Sequence, residues 1–311
     1  MTLLYGDPLF LEHDTGRHPE RPERLKAVWA YLDRSGLAQR CQRGQTRVAT
    51  RDEILRLHSP EHVDHVRAVC AERPGRIEAD TVVSRRSFDV ALAAAGTALA
   101  AVDSVMQGTD QTALCLVRPP GHHALPASAM GFCLFNNVAL AAEHALRAYR
   151  LQRVLIVDWD VHHGNGTQDM FYERDDAWFF SAHRYPFYPG TGADHETGRG
   201  RGLGATFNLP VKFGTPRKEY LRRFGAMLHD AAARCQPELI LISAGFDAHR
   251  DDPIGSLELE TEDFADLTRM VKQAAQAHCH GRLISVLEGG YDVDALAASV
   301  GIHLEALLAE T

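Results

Sequence analysis

Residues 154–166 read VLIVDWDVHHGNG, an apolar run that stops at Asp158-Trp159-Asp160-Val161-His162-His163 before two glycines, Gly164 and Gly166. A short apolar run bounded by turn residues reads as a buried strand. Side chains of an extended segment alternate between faces, so Asp158, Asp160 and His162 are expected to project to one side. Carboxylates and imidazoles suit a borderline metal such as zinc, and a catalytic zinc takes three protein ligands and keeps one position open. Open α/β sheets bind ligands beyond the carboxyl ends of their strands, which is where these residues stand. The plainer reading is a strand capped by a turn-forming Asp and a solvated histidine pair. The rest of the chain decides between them.

Three more apolar runs end the same way. Residues 112–117 lead into Arg118-Pro119-Pro120-Gly121-His122-His123, residues 238–243 into Gly245-Phe246-Asp247, and residues 282–287 into Glu288-Gly289-Gly290-Tyr291. Shorter strands are expected at 3–5, 177–182 and 205–209. Helices are expected at 23–35, 52–57, from Pro60 behind a Ser59 cap, and at 87–107, 137–149, 167–173, 217–233, 261–278 and 294–308. Strand–loop–helix units repeated in this way imply one parallel sheet covered by helices. No repeat, low-complexity tract or composition shift marks a linker, so a single domain over 1–311 is expected. In such a sheet the four polar strand ends can converge on one rim. The plain reading explains none of that.

Composition narrows the function. The chain has 311 residues, 45% hydrophobic and 24% charged, an ordinary globular balance. A net charge of −8 argues against a general grip on nucleic acid, while leaving room for an acidic rim that attracts cationic substrates. No apolar run is read as reaching the roughly 18 residues of a membrane span, and the first residues lack a basic segment and an apolar signal core. The expectation is a cytoplasmic protein without a membrane partner. Six scattered cysteines form no C-x-x-C pair and read as reduced and mostly buried. Seventeen histidines, several clustered, hint at metal or acid–base chemistry. His58, His62 and His65 read either as one face of a helix or equally as surface residues, and are assigned no chemistry. His18 and Glu20 read either as a substrate-loop pair or as pins for their loop, with the second favoured.

In their order along the chain, Pro119-Pro120-Gly121-His122-His123, the 158–166 segment, Ser243-Ala244-Gly245-Phe246-Asp247-Ala248-His249 and Leu287-Glu288-Gly289-Gly290-Tyr291 resemble the histone deacetylase family, in particular its class II branch and the bacterial deacetylase-like amidohydrolases. The resemblance begins at His18-Pro19-Glu20-Arg21-Pro22 and covers nearly the whole chain. It implies the arginase–deacetylase fold, an α/β architecture with an eight-stranded parallel sheet between helices, and zinc-dependent hydrolysis of N-acetyl amides. By position, it implies that Asp160, His162 and Asp247 hold Zn²⁺. It sets His122 against Asp158, His123 against Asn165, and Tyr291 against the scissile carbonyl. Phe132 and Tyr188 would wall an acetyl-lysine tunnel, with Gly131 and Gly289 beside it and Asp80 gripping substrate at the rim. Asp158 and Ser181 would hold a monovalent cation, usually K⁺.

The chemistry suits these residue types. An amide is a poor electrophile, and zinc lowers the pKa of water to roughly 7 and polarises carbonyls. Uncharged Asn165 cannot hold its partner imidazole protonated, so His123 is the expected general base and acid; His122, beside anionic Asp158, is expected to stay imidazolium. Three positions bear on substrate. Tyr291 stands where nearly inactive members carry histidine. Ile254, in Asp252-Pro253-Ile254-Gly255, stands where members specialised for acetylpolyamines carry a glutamate. Tyr188 adds a hydroxyl where phenylalanine is usual. The leading expectation is therefore a deacetylase of acetyl-lysine in peptide or protein, the alternative an acetylpolyamine or other small acetylated amine. A two-manganese ureohydrolase and a non-catalytic acyl-lysine reader are weaker readings, and the oligomeric state stays open.

Overall fold

In the computed structural model, which describes residues 1–309, each of the apolar runs read as a strand forms one. The strands are β1 (Leu3–Tyr5), β2 (Gln42–Arg43), β3 (Gly75–Arg76), β4 (Val82–Val83), β5 (Thr112–Cys115), β6 (Val154–Asp158), β7 (Ala177–Arg184), β8 (Thr206–Val211), β9 (Leu239–Ala244) and β10 (Leu283–Leu287). Eight of them make a parallel sheet in the order β2-β1-β5-β10-β9-β6-β7-β8, while β3 and β4 pair as a separate antiparallel hairpin. The central strands β5, β10, β9 and β6 are buried at every residue, as a sheet covered on both faces requires.

The helices are α1 (Glu23–Arg34), α2 (Arg51–Ile54), α3 (Pro60–Glu72), α4 (Ser87–Met106), α5 (Asn137–Ala148), α6 (Asn165–Phe171), α7 (Arg217–Cys235), α8 (Thr261–Cys279) and α9 (Val293–Leu308). One layer runs α1, α9, α8, α7, each packed on the next; α4 and α5 pair in the other, with α3 on α4 and α6 on α5. Helix α4 corrects one expectation, because it is long and apolar enough to cross a membrane. Most of it is buried, and it packs on α5 and β5 as a core helix.

Two further expectations change. Strand β2 was not foreseen, because two exposed polar residues at a sheet edge carry no apolar signal. His58 and His62 are buried, not surface residues. His58 Nδ1 lies 3.0 Å from the Leu125 carbonyl and its Nε2 accepts from Asn136 N at 2.9 Å; His62 Nε2 lies 2.8 Å from the Leu134 carbonyl. They brace the segment between the histidine pair and α5.

Glu20 proves to be a structural pin. Wholly buried, it accepts from Arg118 Nε and Nη2 and from Arg24 Nη1, the last at 3.1 Å. Arg118 opens the loop to His122, and Arg24 donates to the Glu288 and Gly290 carbonyls beside Tyr291 at 2.5 and 2.6 Å. One carboxylate thus joins two segments of the rim. Burial alone would raise its pKa, but Arg118 and His13 outweigh burial and hold it well below the usual value. Its contribution to stability is therefore full above about pH 4.5 and is lost as pH falls toward the depressed value. Glu20→Gln is expected to cost about 3 kcal/mol or more, since two buried guanidinium groups lose their partner. Urea melts at pH 7 and pH 4 should show the largest difference from wild type at pH 7.

Candidate active site

Strands β5, β10, β9 and β6 are neighbours in the sheet, so their C-terminal ends bring together His122–His123, Glu288–Tyr291, Asp247 and Asp158–His162. The 158–162 segment is shaped by its own carboxylates rather than by continued strand geometry. The strand ends at Asp158, whose Oδ1 accepts from Asp160 N at 3.0 Å; Asp160 Oδ1 in turn accepts from His162 N at 2.9 Å. Each aspartate catches the amide two residues on, the local habit of Asp in turns. Asp247 Oδ1 holds Val161 N at 2.9 Å, and Gly289 N donates to Asp160 Oδ2 at 2.9 Å.

The result is a buried cluster. Ligand atoms of Asp160, His162 and Asp247 lie within 4.8 Å of one another, and His162 Nδ1 is 3.1 Å from both Asp160 Oδ1 and Asp247 Oδ2. Two carboxylate oxygens and an imidazole nitrogen are zinc-type donors. Burial drives the Asp158 and Asp247 carboxyls above the usual range, and the negative charge of Asp160 adds to it. A group of carboxylates this short of positive charge fits a divalent cation.

The two adjacent histidines face different partners. His122 Nδ1 is 2.9 Å from Asp158 Oδ2, whereas His123 Nδ1 is 2.7 Å from Asn165 Oδ1. The Asn165 amide nitrogen points to Met130 Sδ at 3.3 Å, so its oxygen receives the His123 proton and leaves Nε2 free. Burial opposes charge on both rings. For His122, Asp160 and Asp158 together outweigh burial and lift the pKa to about 10; for His123, burial is reinforced by His122 and His162, and the pKa lies well below the ordinary value. The Tyr291 phenol is pushed up by burial and by the Asp247 and Asp160 charges, and so stays protonated.

A cavity of about 200 Å³ opens onto this group, lined by Asp80, His123, Gly131, Phe132, His162, Phe187, Tyr188, Ile254 and Tyr291. Phe132 and Tyr291 meet edge to face at 5.7 Å, and Tyr188 stands edge to face on His123 at 5.2 Å. Phe132 has a positive φ of 70°. Thr81 Oγ1 accepts its amide, and His18 packs on its ring at 4.5 Å while bonding the Asp80 carbonyl at 3.0 Å. Asp80 Oδ1 accepts from Gly131 N at 3.1 Å. Ser181 sits opposite Asp158 in the β6–β7 register, with its hydroxyl 2.9 Å from His183 Nδ1.

Two neighbours were not among the site residues singled out above. Phe187 stacks on His162 at 5.3 Å, and Arg24 lies over the Tyr291 ring at 5.2 Å. Phe187 could have been found as the aromatic preceding Tyr188; no local signal marks Arg24.

This strand order and donor set define a class, parallel α/β proteins with a candidate metal centre at the carboxyl edge of the sheet. The sequence profile of the histone deacetylase domain matches residues 18–307, and the chain belongs to that family, which is zinc-dependent in general. It is 43% identical over 304 residues to the human polyamine deacetylase HDAC10, covering 94% of this chain and 45% of that protein. It is 38% identical over 275 residues to the histone deacetylase-like amidohydrolase of Pseudomonas aeruginosa, covering 88% of this chain and 72% of that one. The crystal structure of the HDA15 HD domain superposes with a TM-score of 0.92 at 36% identity, covering 99% of this chain and 88% of that one. The chain thus spans less than half of the human relative.

Gly289 tests the cluster directly. A Cβ there would stand 2.3 Å from Asp247 Oδ2 and 2.6 Å from Asp160 Oδ2, against atoms that cannot withdraw without breaking the donor set. Gly289→Ala is expected to lower zinc affinity at least tenfold, in the range that follows from disturbing groups that orient ligands. Competition against a chromophoric chelator would measure it.

Proposed function

We propose that this chain hydrolyses N-acetyl amides of lysine side chains, using zinc held by Asp160, His162 and Asp247. The observation that carries the proposal is the unequal partnering of the histidine pair, anionic Asp158 for His122 and neutral Asn165 for His123, in a cavity shared with Tyr291. Zinc in that cluster would supply a Lewis acid that acidifies water and polarises an amide carbonyl. His123, with its proton on Nδ1 held by Asn165, takes a proton from water at Nε2 and returns it to the departing amine. His122 remains a cation and acts through its charge. The Tyr291 phenol donates to the amide oxygen as negative charge develops there, and Phe132, Phe187 and Tyr188 exclude water around the acyl-bearing chain. Asp80, part of the same cavity lining, would accept a substrate N–H.

A structural K⁺ beside Asp158 and Ser181 belongs to the same proposal, supported by their pairing in adjacent strands. Among the described residues there is one such metal-binding group, which weighs against a two-manganese ureohydrolase. A non-catalytic reader has no use for an acid–base pair. An acetylpolyamine remains the second substrate reading, favoured by the likeness to the human polyamine deacetylase. Half-buried Ile254 in the cavity wall favours lysine, because it offers no charge to a cationic chain.

Acetate release from zinc-loaded protein, with an acetyl-lysine peptide and an acetylated polyamine in separate reactions, tests the proposal. Peptide cleavage is expected, with kcat reduced about 10²–10³-fold in Tyr291→Phe and about 10²–10⁴-fold in His123→Ala. Cleavage of the polyamine alone would overturn the substrate, and no release from either would overturn the hydrolase. Ile254→Glu is expected to shift the kcat/KM ratio about tenfold toward the polyamine, the order of one partly screened ion pair.

A further inference from the structure

Glu288 is a wholly buried carboxylate with no part in the chemistry described so far. Its Oε2 accepts from Gly121 N at 2.6 Å and from His122 N at 3.2 Å. Its Oε1 is inaccessible to solvent and has no hydrogen-bond partner. A carboxylate buried close to the charged groups of Asp158 and Asp160 is costly, and burial together with those two charges works to raise its pKa, against His122 and the Gly121 amide. An apolar residue would be cheaper there unless the two backbone bonds matter.

What the bonds join is specific. Glu288 follows β10 and begins the segment that ends in Tyr291. The next residue, Gly289, donates its amide to Asp160 Oδ2 at 2.9 Å, and Tyr291 N donates to Asp252 Oδ2 at 2.7 Å. The backbone carbonyl of Glu288 is held by Arg24 Nη2 at 2.5 Å. The segment is therefore seated against the metal cluster by its backbone, and the Glu288 side chain reaches across to the loop that carries both imidazoles. No other side chain bonds the amides of both Gly121 and His122 among the described residues.

We propose that Glu288 is a positioning residue for the reaction, the tie that fixes the tandem-histidine loop relative to the Tyr291 segment. The role rests on the hydrolytic reading of the site and needs only an acceptor oxygen, since both amides bond the same atom and the second oxygen bonds nothing. Misplacing a catalytic group by about 1 Å can cost roughly 10²-fold in rate. The Glu288 side chain bonds the Gly121 and His122 amides and does not line the cavity, so the loss should fall on kcat.

Glu288→Gln keeps one acceptor oxygen and drops the charge; Glu288→Met keeps the length and removes the acceptor. For acetyl-lysine peptide, with rates expressed per zinc-loaded molecule, Glu288→Met is expected to lose at least tenfold in kcat with KM within about twofold. Glu288→Gln is expected to restore most of kcat. Amide hydrogen exchange at Gly121 and His122, which needs no substrate, should be fast in the Met variant and protected in the Gln variant. That second readout separates failure of the tie from failure of the hydrolytic reading. An unchanged kcat in the Met variant would overturn the proposal, as would unchanged amide protection there. Should the Met variant not accumulate, the Gln variant decides: protected amides with most of kcat retained support the tie, and a tenfold loss of kcat with protected amides overturns it.

Discussion

Four carboxyl groups without access to water, those of Asp158, Asp160, Asp247 and Glu288, crowd the ends of three adjacent strands, and their neighbours answer to that charge. An ionised carboxylate away from water is costly unless paired, hydrogen-bonded or bound to metal. Here the compensation comes in several forms. His122 and His162 supply imidazole partners, and the amides of Asp160, Val161, His162, Gly289, Gly121 and His122 each point at a carboxylate oxygen. A buried group of this composition, rich in carboxylates with imidazole and amide partners, fits a divalent cation.

The same charge differentiates the two histidines. They are adjacent in sequence, with ring centroids 4.0 Å apart, yet meet different charges. Asp160 and Asp158 stabilise charge on one, and that charge adds to burial in depressing the other. The proposed pairing of a neutral base with a fixed cation thus draws on burial and the Asp160 charge as well as on the carboxylate and amide partners. Only small residues let the carboxylates approach the backbone this closely: a Cβ at Gly245 would stand 2.2 Å from Asp160 Oδ2.

Much of this was legible in the chain. Apolar runs at 112–117, 154–157, 238–243 and 282–287 announce buried strands, and the polar residues that end each run announce the rim, because a parallel sheet sends its strand ends the same way. Asp160, His162 and Asp247 were nameable from residue type and family order, and the structure brings them together. The strand-alternation argument for Asp160 and His162 reached the right grouping by the wrong geometry, since both lie past the end of β6 and are placed by side chain-to-backbone bonds that periodicity does not describe. Burial of His58 and His62 was hidden because their partners are carbonyls some seventy positions away. Glu20 and Glu288 look like ordinary polar residues until the fold sets arginines against one and backbone amides against the other.

The central claim is that their surroundings give the two adjacent imidazoles opposite protonation, charged beside Asp158 and Asp160 and neutral beside Asn165. Nitrogen-15 spectra of histidine-labelled, zinc-loaded protein near neutral pH, assigned by single-histidine substitution, read it most directly. The account predicts His122 protonated on both ring nitrogens and His123 neutral with its proton on Nδ1. A neutral His122, or a His123 carrying its proton on Nε2, would contradict it.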